Sequence, residues 1–80
     1  MKKHILYLKE ICPFCKKVLR VIDKYHIEGI EIRDIKKDPG AQAELLEKGG
    51  KDQVPMLLID GEPLYESGDI IQYLKENFVS

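Results

Sequence analysis

Cysteine is nearly absent from this chain: two residues in 80, Cys12 and Cys15, both inside the stretch Cys12-Pro13-Phe14-Cys15. Two thiols three residues apart can be half of a metal site, a structural staple or a redox couple. No charge of one sign dominates, because thirteen Lys and Arg face fourteen Asp and Glu for a net charge of −1. That balance offers no broad electrostatic reason to hold nucleic acid or a membrane surface. Long apolar runs are missing as well; stretches such as Met56-Leu57-Leu58-Ile59 are far too short to span a bilayer. The basic opening Met1-Lys2-Lys3-His4 leads into Ile5-Leu6-Tyr7-Leu8, but Lys9-Glu10 follows at once and no small-residue cleavage site is present. No repeat, low-complexity tract or linker interrupts the chain.

What is there fits a soluble globular protein, with 44% hydrophobic and 34% charged residues. The expectation is a single domain over residues 1–80, cytoplasmic and monomeric. Its core is modest, since a chain this short buries somewhat more than about 60% of its unfolded surface.

Residues 4–8 read as a strand buried on both faces. Pro13 suits the first position of a helix, where its fixed φ is helical and its missing N–H costs nothing. Phe14, Val18, Leu19, Val21, Ile22 and Tyr25 then recur at helical spacing, with Lys16, Lys17, Arg20, Asp23 and Lys24 on the other side, which predicts a helix over 13–25. After Gly29, Ile30, Ile32 and, less regularly, Ile35 alternate with charged residues as a second strand. Asp38-Pro39 opens a short helix through Ala41, Leu45 and Leu46 to Gly49-Gly50. Met56–Ile59 is a third strand, Asp60-Gly61 a hairpin turn, and a short fourth strand lies near Leu64. Ser67 is then expected to cap a last helix whose apolar face is Ile70, Ile71, Leu74 and Phe78. The predicted fold is α/β, in the order β-α-β-α-β-β-α: a mixed four-stranded sheet flanked by three helices, with the first two strands parallel through a right-handed crossover.

Cys12 falls at the N-cap, where free N–H groups and the positive end of the helix dipole stabilise a thiolate. Lys9 and Lys16 lower its pKa further if their amines reach the sulfur. Cys15 lies one turn deeper on the same face, within disulfide reach. One activated thiol and one sheltered thiol that resolves a mixed disulfide is the arrangement thiol–disulfide exchange requires. Three other uses compete. A structural zinc site needs four ligands, and the chain offers Cys12, Cys15 and two histidines that lack ligand spacing. A purely structural disulfide is rare in a cytosolic protein. A Cys–His nucleophile pair needs His26 or His4 near Cys12, but His26 ends the helix that Cys12 begins, roughly 20 Å away, and His4 sits at the far end of the first strand. Both histidines are expected to be ordinary surface residues.

A strand, then Lys9-x-x-Cys12-Pro13-Phe14-Cys15, then Val54-Pro55 before another strand, resembles a dithiol glutaredoxin of the thioredoxin superfamily over essentially the whole chain. A thioredoxin would show Trp-Cys-Gly-Pro-Cys instead. The resemblance implies a thioredoxin-like, glutaredoxin-type fold and a glutathione-dependent reductase of protein disulfides and glutathione mixed disulfides. Cys12 and Cys15 would be catalytic, with no permanently bound cofactor and no metal. It implies a cis Val54–Pro55 peptide facing Cys12, with Val54 offering backbone hydrogen bonds to the cysteinyl part of glutathione. Lys9 and Lys51 would meet its glycyl end. The N-terminus of the last helix, with Ser67 and Asp69, would meet its γ-glutamyl end. Pro13 and Phe14 would rim the sulfur.

The chain differs from the pattern in having Gln53 where Thr usually precedes Val-Pro, and Tyr65-Glu66-Ser67-Gly68-Asp69 in place of Gly-Gly-x-x-Asp. The Tyr65 and Glu66 side chains are expected to narrow the ligand groove or place a negative charge near it. Glu66-Ser67 followed by Ile70-Ile71-x-Tyr73-Leu74 is similar to the amino-terminal domain of glutathione transferases, whose second, helical domain eighty residues leave no room for. Two alternatives keep the fold: a disulfide reductase served by a protein reductase instead of glutathione, and a dimeric iron–sulfur carrier using Cys12 from each chain with two glutathione thiolates.

Overall fold

The computed structural model describes residues 2–79. Strand β1 (His4–Leu8) leads to helix α1 (Pro13–Lys24), then β2 (Ile30–Asp34), α2 (Pro39–Gly49), β3 (Met56–Ile59), β4 (Glu62–Leu64) and α3 (Ser67–Phe78). The sheet order is β2-β1-β3-β4. β1 pairs with β2 in parallel, His4 opposite Ile30, and with β3 antiparallel, Tyr7 opposite Met56. β4 folds back on β3. This is the predicted thioredoxin-like architecture.

Alternation along the central strand divides the core into two layers. Ile5 and Tyr7 join Ile35, Ala41, Leu45, Met56 and Leu58 under α2. Leu6 and Leu8 join Cys15, Val18, Leu57, Ile70 and Leu74 under α1 and α3. Each fully buried large apolar side chain stabilises the fold by roughly 1.5–3 kcal/mol relative to exposure, so β1 anchors both layers and fixes where its C-terminal end delivers the chain.

The turn residues do what their types allow. Asp60 and Gly61 both take positive φ, 49° and 91°, as a tight hairpin whose twist matches its strands requires. Gly50 is left-handed (φ 82°) and its N–H bonds to the Leu46 carbonyl at 3.0 Å, which ends α2. Asp38 caps that helix by accepting from the Gly40 N–H at 3.0 Å.

Three local expectations are corrected. β2 stops at Asp34; Ile35 turns into the layer under α2, and its N–H donates to the Leu8 carbonyl at 2.9 Å. Ser67 is the first residue of α3 and not its cap. The N-cap is Glu66, at φ 71°, and its carbonyl accepts from Ile70 N–H at 3.0 Å. His4 is no ordinary surface residue: its Nε2 lies 2.8 Å from the Tyr73 hydroxyl and its ring meets Phe78 edge-on, joining β1 to α3.

Candidate active site

The chain leaves β1 at Leu8 and turns through Lys9, Glu10 and Ile11, the turn closed by Cys12 N–H donating to the Lys9 carbonyl at 3.2 Å. Cys12 is extended (φ −79°, ψ 122°) and serves as N-cap, with Pro13 as the first helical residue. Its carbonyl accepts the first helical bond, from Lys16 N–H at 3.0 Å. Cys12 is half-buried and Cys15 fully buried, and both are free thiols.

The surroundings drive the two sulfurs apart in acidity. Burial by itself raises Cys12, but the N–H groups of Cys15 and Phe14, the Cys15 thiol and the Lys9 ammonium outweigh it, so its pKa falls below the ordinary thiol value. The sulfur closes no full capping hydrogen bond; the N–H groups act on it through charge, which a thiolate feels at longer range than a neutral thiol does. Burial among Val18, Ile70 and Leu74 pushes Cys15 up to about 12, although the Lys9 backbone N–H at 3.5 Å favours its anion; hydrogen bonding and charge from Cys12 add to the rise. Cys12 is thus the more acidic of the two thiols, and Cys15 is the one that keeps its proton through the neutral range.

Beside the first turn of α1 lies a groove of about 270 Å³ lined by Phe14, Gln53, Val54, Pro55, Glu66 and Ser67. The Val54–Pro55 peptide is cis. Three segments distant in sequence therefore meet here: the start of α1, the approach to β3, and the start of α3. Larger clefts exist at the opposite end of the sheet, one of about 400 Å³ lined by residues such as Lys2, Asp60, Glu62 and Tyr73. Neither cysteine lines any of these clefts; the smaller groove is singled out because its wall includes Phe14, which stands between Cys12 and Cys15 in the first turn of α1.

Of the residues expected around the thiols, Phe14, Val54, Pro55 and Ser67 line this groove, and the Lys9 charge acts on Cys12. Lys51 and Asp69 do not line it. The Lys51 ammonium lies 5.3 Å from the centre of the Tyr65 ring, and the Tyr65 hydroxyl donates to the Lys51 carbonyl at 3.2 Å, so that loop is folded onto Tyr65. Asp69 is exposed in the first turn of α3. The sequence placed Glu66 beside the ligand groove as a source of negative charge, and marked Gln53 as a departure from a pattern without giving it a place in the site. Both are groove walls, joined by a Gln53 Nε2–H to Glu66 Oε1 bond at 3.4 Å. Their adjacency to Val54 and Ser67 was the available signal. Among the described residues no cluster of three or more His, Cys, Asp or Glu could hold a metal ion, and no helix is long and apolar enough to cross a membrane.

Known proteins account for this architecture. The family described as "Glutathione S-transferase, N-terminal domain" matches residues 6–80. The chain belongs to that family. It is a thioredoxin-superfamily domain, and its solved relatives within the superfamily differ in size. The thioredoxin-like protein BC3987 is 29% identical, with a TM-score of 0.75, over 90% of this chain and 99% of its own. A glutathione transferase homolog from Drosophila mojavensis, solved with bound glutathione, is 22% identical with a TM-score of 0.80; all of this chain aligns, but only 37% of that one. A wheat glutaredoxin is 20% identical with a TM-score of 0.66, over 96% of this chain and 74% of its own. The last two show the fold alone. A sequence search of curated proteins finds no match.

Proposed function

We propose that this domain is a thiol–disulfide oxidoreductase of the glutaredoxin type, reducing protein disulfides and glutathione mixed disulfides. The observation that carries the reading is the split in acidity between Cys12 and Cys15 at the start of α1. The Cys12 thiolate attacks one sulfur of a substrate disulfide; that S–S bond breaks, a Cys12–substrate disulfide forms, and the departing sulfur leaves as a thiolate that takes up a proton. Cys15 then gives up its proton and attacks the Cys12 sulfur, releasing the second substrate thiol and leaving a Cys12–Cys15 disulfide. The substrate has gained two electrons and the dithiol has lost two. Two glutathione thiols restore the dithiol and leave as glutathione disulfide.

Glutathione as reductant is supported by the family's name and by the glutathione bound to the Drosophila mojavensis homolog. In this reading the groove receives it. Val54 pairs with its cysteinyl backbone, Phe14 and Pro13 shield its sulfur, and the N-terminus of α3 with Ser67 attracts the γ-glutamyl carboxylate. Asp69 accepts from the γ-glutamyl amine, while Lys9 and, once released from Tyr65, Lys51 meet the glycyl carboxylate.

The test is turnover of a glutathione mixed disulfide. Cys12→Ser should abolish it, and Cys15→Ser should leave it largely intact because a second glutathione can resolve the intermediate. Full activity in Cys12→Ser would remove the assignment. The Glu66 carboxylate on the groove wall supports a second reading, since it opposes an anionic ligand. In that reading a protein reductase supplies the electrons; full turnover with glutathione alone would remove it.

A further inference from the structure

The surface around Cys12 is uneven in charge and polarity. From Lys9 to Asp23 the four cations Lys9, Lys16, Lys17 and Arg20 outnumber the two acids, Glu10 and Asp23, in a chain whose net charge is −1. Glu10 is itself engaged, 3.0 Å from Lys37. Among the described residues none of those cations takes part in a salt bridge. The first turn of α1 has no acidic residue. Cations near a helix N-terminus oppose the helix dipole, so this clustering does not serve helix stability.

Large apolar side chains flank the thiol as well: Ile11 is 76% exposed and Phe14 54%. Phe14, Lys17, Arg20 and Lys24 follow at helical i+3 and i+4 steps and are all exposed, whereas Cys15 and Val18 of the same helix are buried. They form a row of about 15 Å leading away from Cys12. The Lys17 ammonium stands 5.5 Å over the Phe14 ring, so charge and apolar surface are one patch. Ile11, Lys17 and Arg20 do not line the groove toward Val54 and Ser67; only a substrate larger than a tripeptide would reach them.

We propose that the disulfide substrate is an acidic protein segment with an apolar side chain beside its reactive cysteine. The apolar side chain covers Ile11 and Phe14, and carboxylates meet Lys17 and Arg20. The proposal rests on the reading of Cys12 as nucleophile. Charge complementarity alone would also suit phosphate-bearing partners, but a phospholipid or nucleic acid brings no disulfide sulfur to the thiolate, whereas a protein does.

The test uses the whole protein with glutathione as reductant and peptides carrying an internal disulfide. One peptide has Leu beside the attacked cysteine followed by three Glu; one replaces the Glu with Lys; one replaces the Leu with Ser. The mixed disulfide of glutathione and 2-mercaptoethanol is the small control. The acidic Leu peptide should exceed the lysine peptide at least about tenfold in kcat/KM at low salt, and 0.5 M NaCl should shrink that ratio several-fold. A Lys17→Gln/Arg20→Gln double variant should bring the ratio near one. Ile11→Ser should erase the advantage of Leu over Ser, with turnover of the control unchanged in both variants. Equal use of the peptides by the wild type, or a preference that survives the double variant, overturns the proposal while the control reaction stands. Loss of the control reaction in the wild type instead overturns the oxidoreductase reading, and this proposal with it. Tighter retention on phosphatidylserine vesicles than on the acidic peptide, lost in the double variant, would reassign the patch to a membrane.

Discussion

Lys9 serves both sulfurs: its backbone N–H donates to Cys15 at 3.5 Å, while its ammonium favours the Cys12 thiolate. The two contacts come from one residue, yet they differ in what a mutation removes. Any side chain at position 9 keeps the amide bond to Cys15; only a cation keeps the field at Cys12.

The first prediction concerns the acidity split itself. Titrating alkylation by iodoacetamide against pH should give a single modified site at neutral pH, Cys12, with a midpoint below the ordinary thiol value. Cys15 should stay unmodified until the protein is unfolded, because it is buried and holds its proton to about pH 12. The folded-state pKa of Cys15 is raised, so its contribution to stability is complete below the unfolded thiol value and declines as pH rises towards 12. Urea midpoints should therefore fall on the alkaline side, and less steeply in Cys15→Ala.

Lys9→Gln separates charge from backbone. The variant should move the Cys12 midpoint up and lower the alkylation rate at pH 6 roughly two- to fivefold, as expected for loss of one nearby charge at a partly exposed site. Stability should change by less than about 0.5 kcal/mol, since the amide bond remains. An unchanged alkylation profile would show that the N–H groups of α1 supply the whole effect.

Much of this was legible in the sequence because it is local. Pro13 after Cys12 sets a helix start, the spacing of Phe14, Val18 and Ile22 sets its buried side, and Asp60-Gly61 sets a hairpin; each depends on neighbours within a turn or two. What was not legible depends on segments far apart. The Tyr65–Lys51 contact that draws Lys51 away from the groove spans 14 residues, and the His4–Tyr73 bond spans 69. No periodicity encodes which surface side chain of one loop will rest on another. Glu66 shows a further limit: a non-glycine residue at φ 71° is disfavoured locally and is held there by the surrounding fold, so propensity pointed to Ser67 as the cap instead.

Ser67→Ala distinguishes binding from capping. Ser67 is the first helical residue and no side-chain bond caps α3, so the variant should leave the melting temperature unchanged. If the hydroxyl meets the γ-glutamyl carboxylate, the KM for glutathione should rise about tenfold or more, the loss of one hydrogen bond to a charged group. A drop in melting temperature with no change in KM would assign Ser67 to structure.

The fold of the Lys51 loop onto Tyr65 has its own test. A Cβ added at Gly49 would run into the Tyr65 hydroxyl and crowd the Met56 methyl group, so Gly49→Ala should destabilise the protein by about 1–3 kcal/mol in urea unfolding. Tyr65→Phe removes the hydroxyl and its 3.2 Å bond to the Lys51 carbonyl. In that background the cost of Gly49→Ala should fall, a coupling of at least about 0.5 kcal/mol in a double-mutant cycle. Additive effects would mean the loop moves aside freely.

The last prediction concerns His4 and the acid side of the stability profile. Burial lowers its pKa below the usual 6.5, the Lys2 charge adds to the lowering, and a Lys2 backbone hydrogen bond and the Asp60 carboxylate partly oppose it. A histidine whose folded pKa is depressed stabilises fully above its unfolded pKa, and that contribution is lost as pH falls through the folded value. The protein should therefore lose stability as pH drops below about 6.5, before the bulk of its carboxylates titrate. His4→Gln keeps a polar partner for the Tyr73 hydroxyl, 2.8 Å away in the wild type, but does not titrate. Its urea midpoint should be flat between pH 7 and 5 where the wild type falls. Tyr73→Phe should instead lower stability at pH 7 by about 1 kcal/mol and leave a wild-type-like acid slope, because it removes the hydrogen bond and not the titrating ring. Parallel slopes in wild type and His4→Gln would assign the acid sensitivity to carboxylates instead.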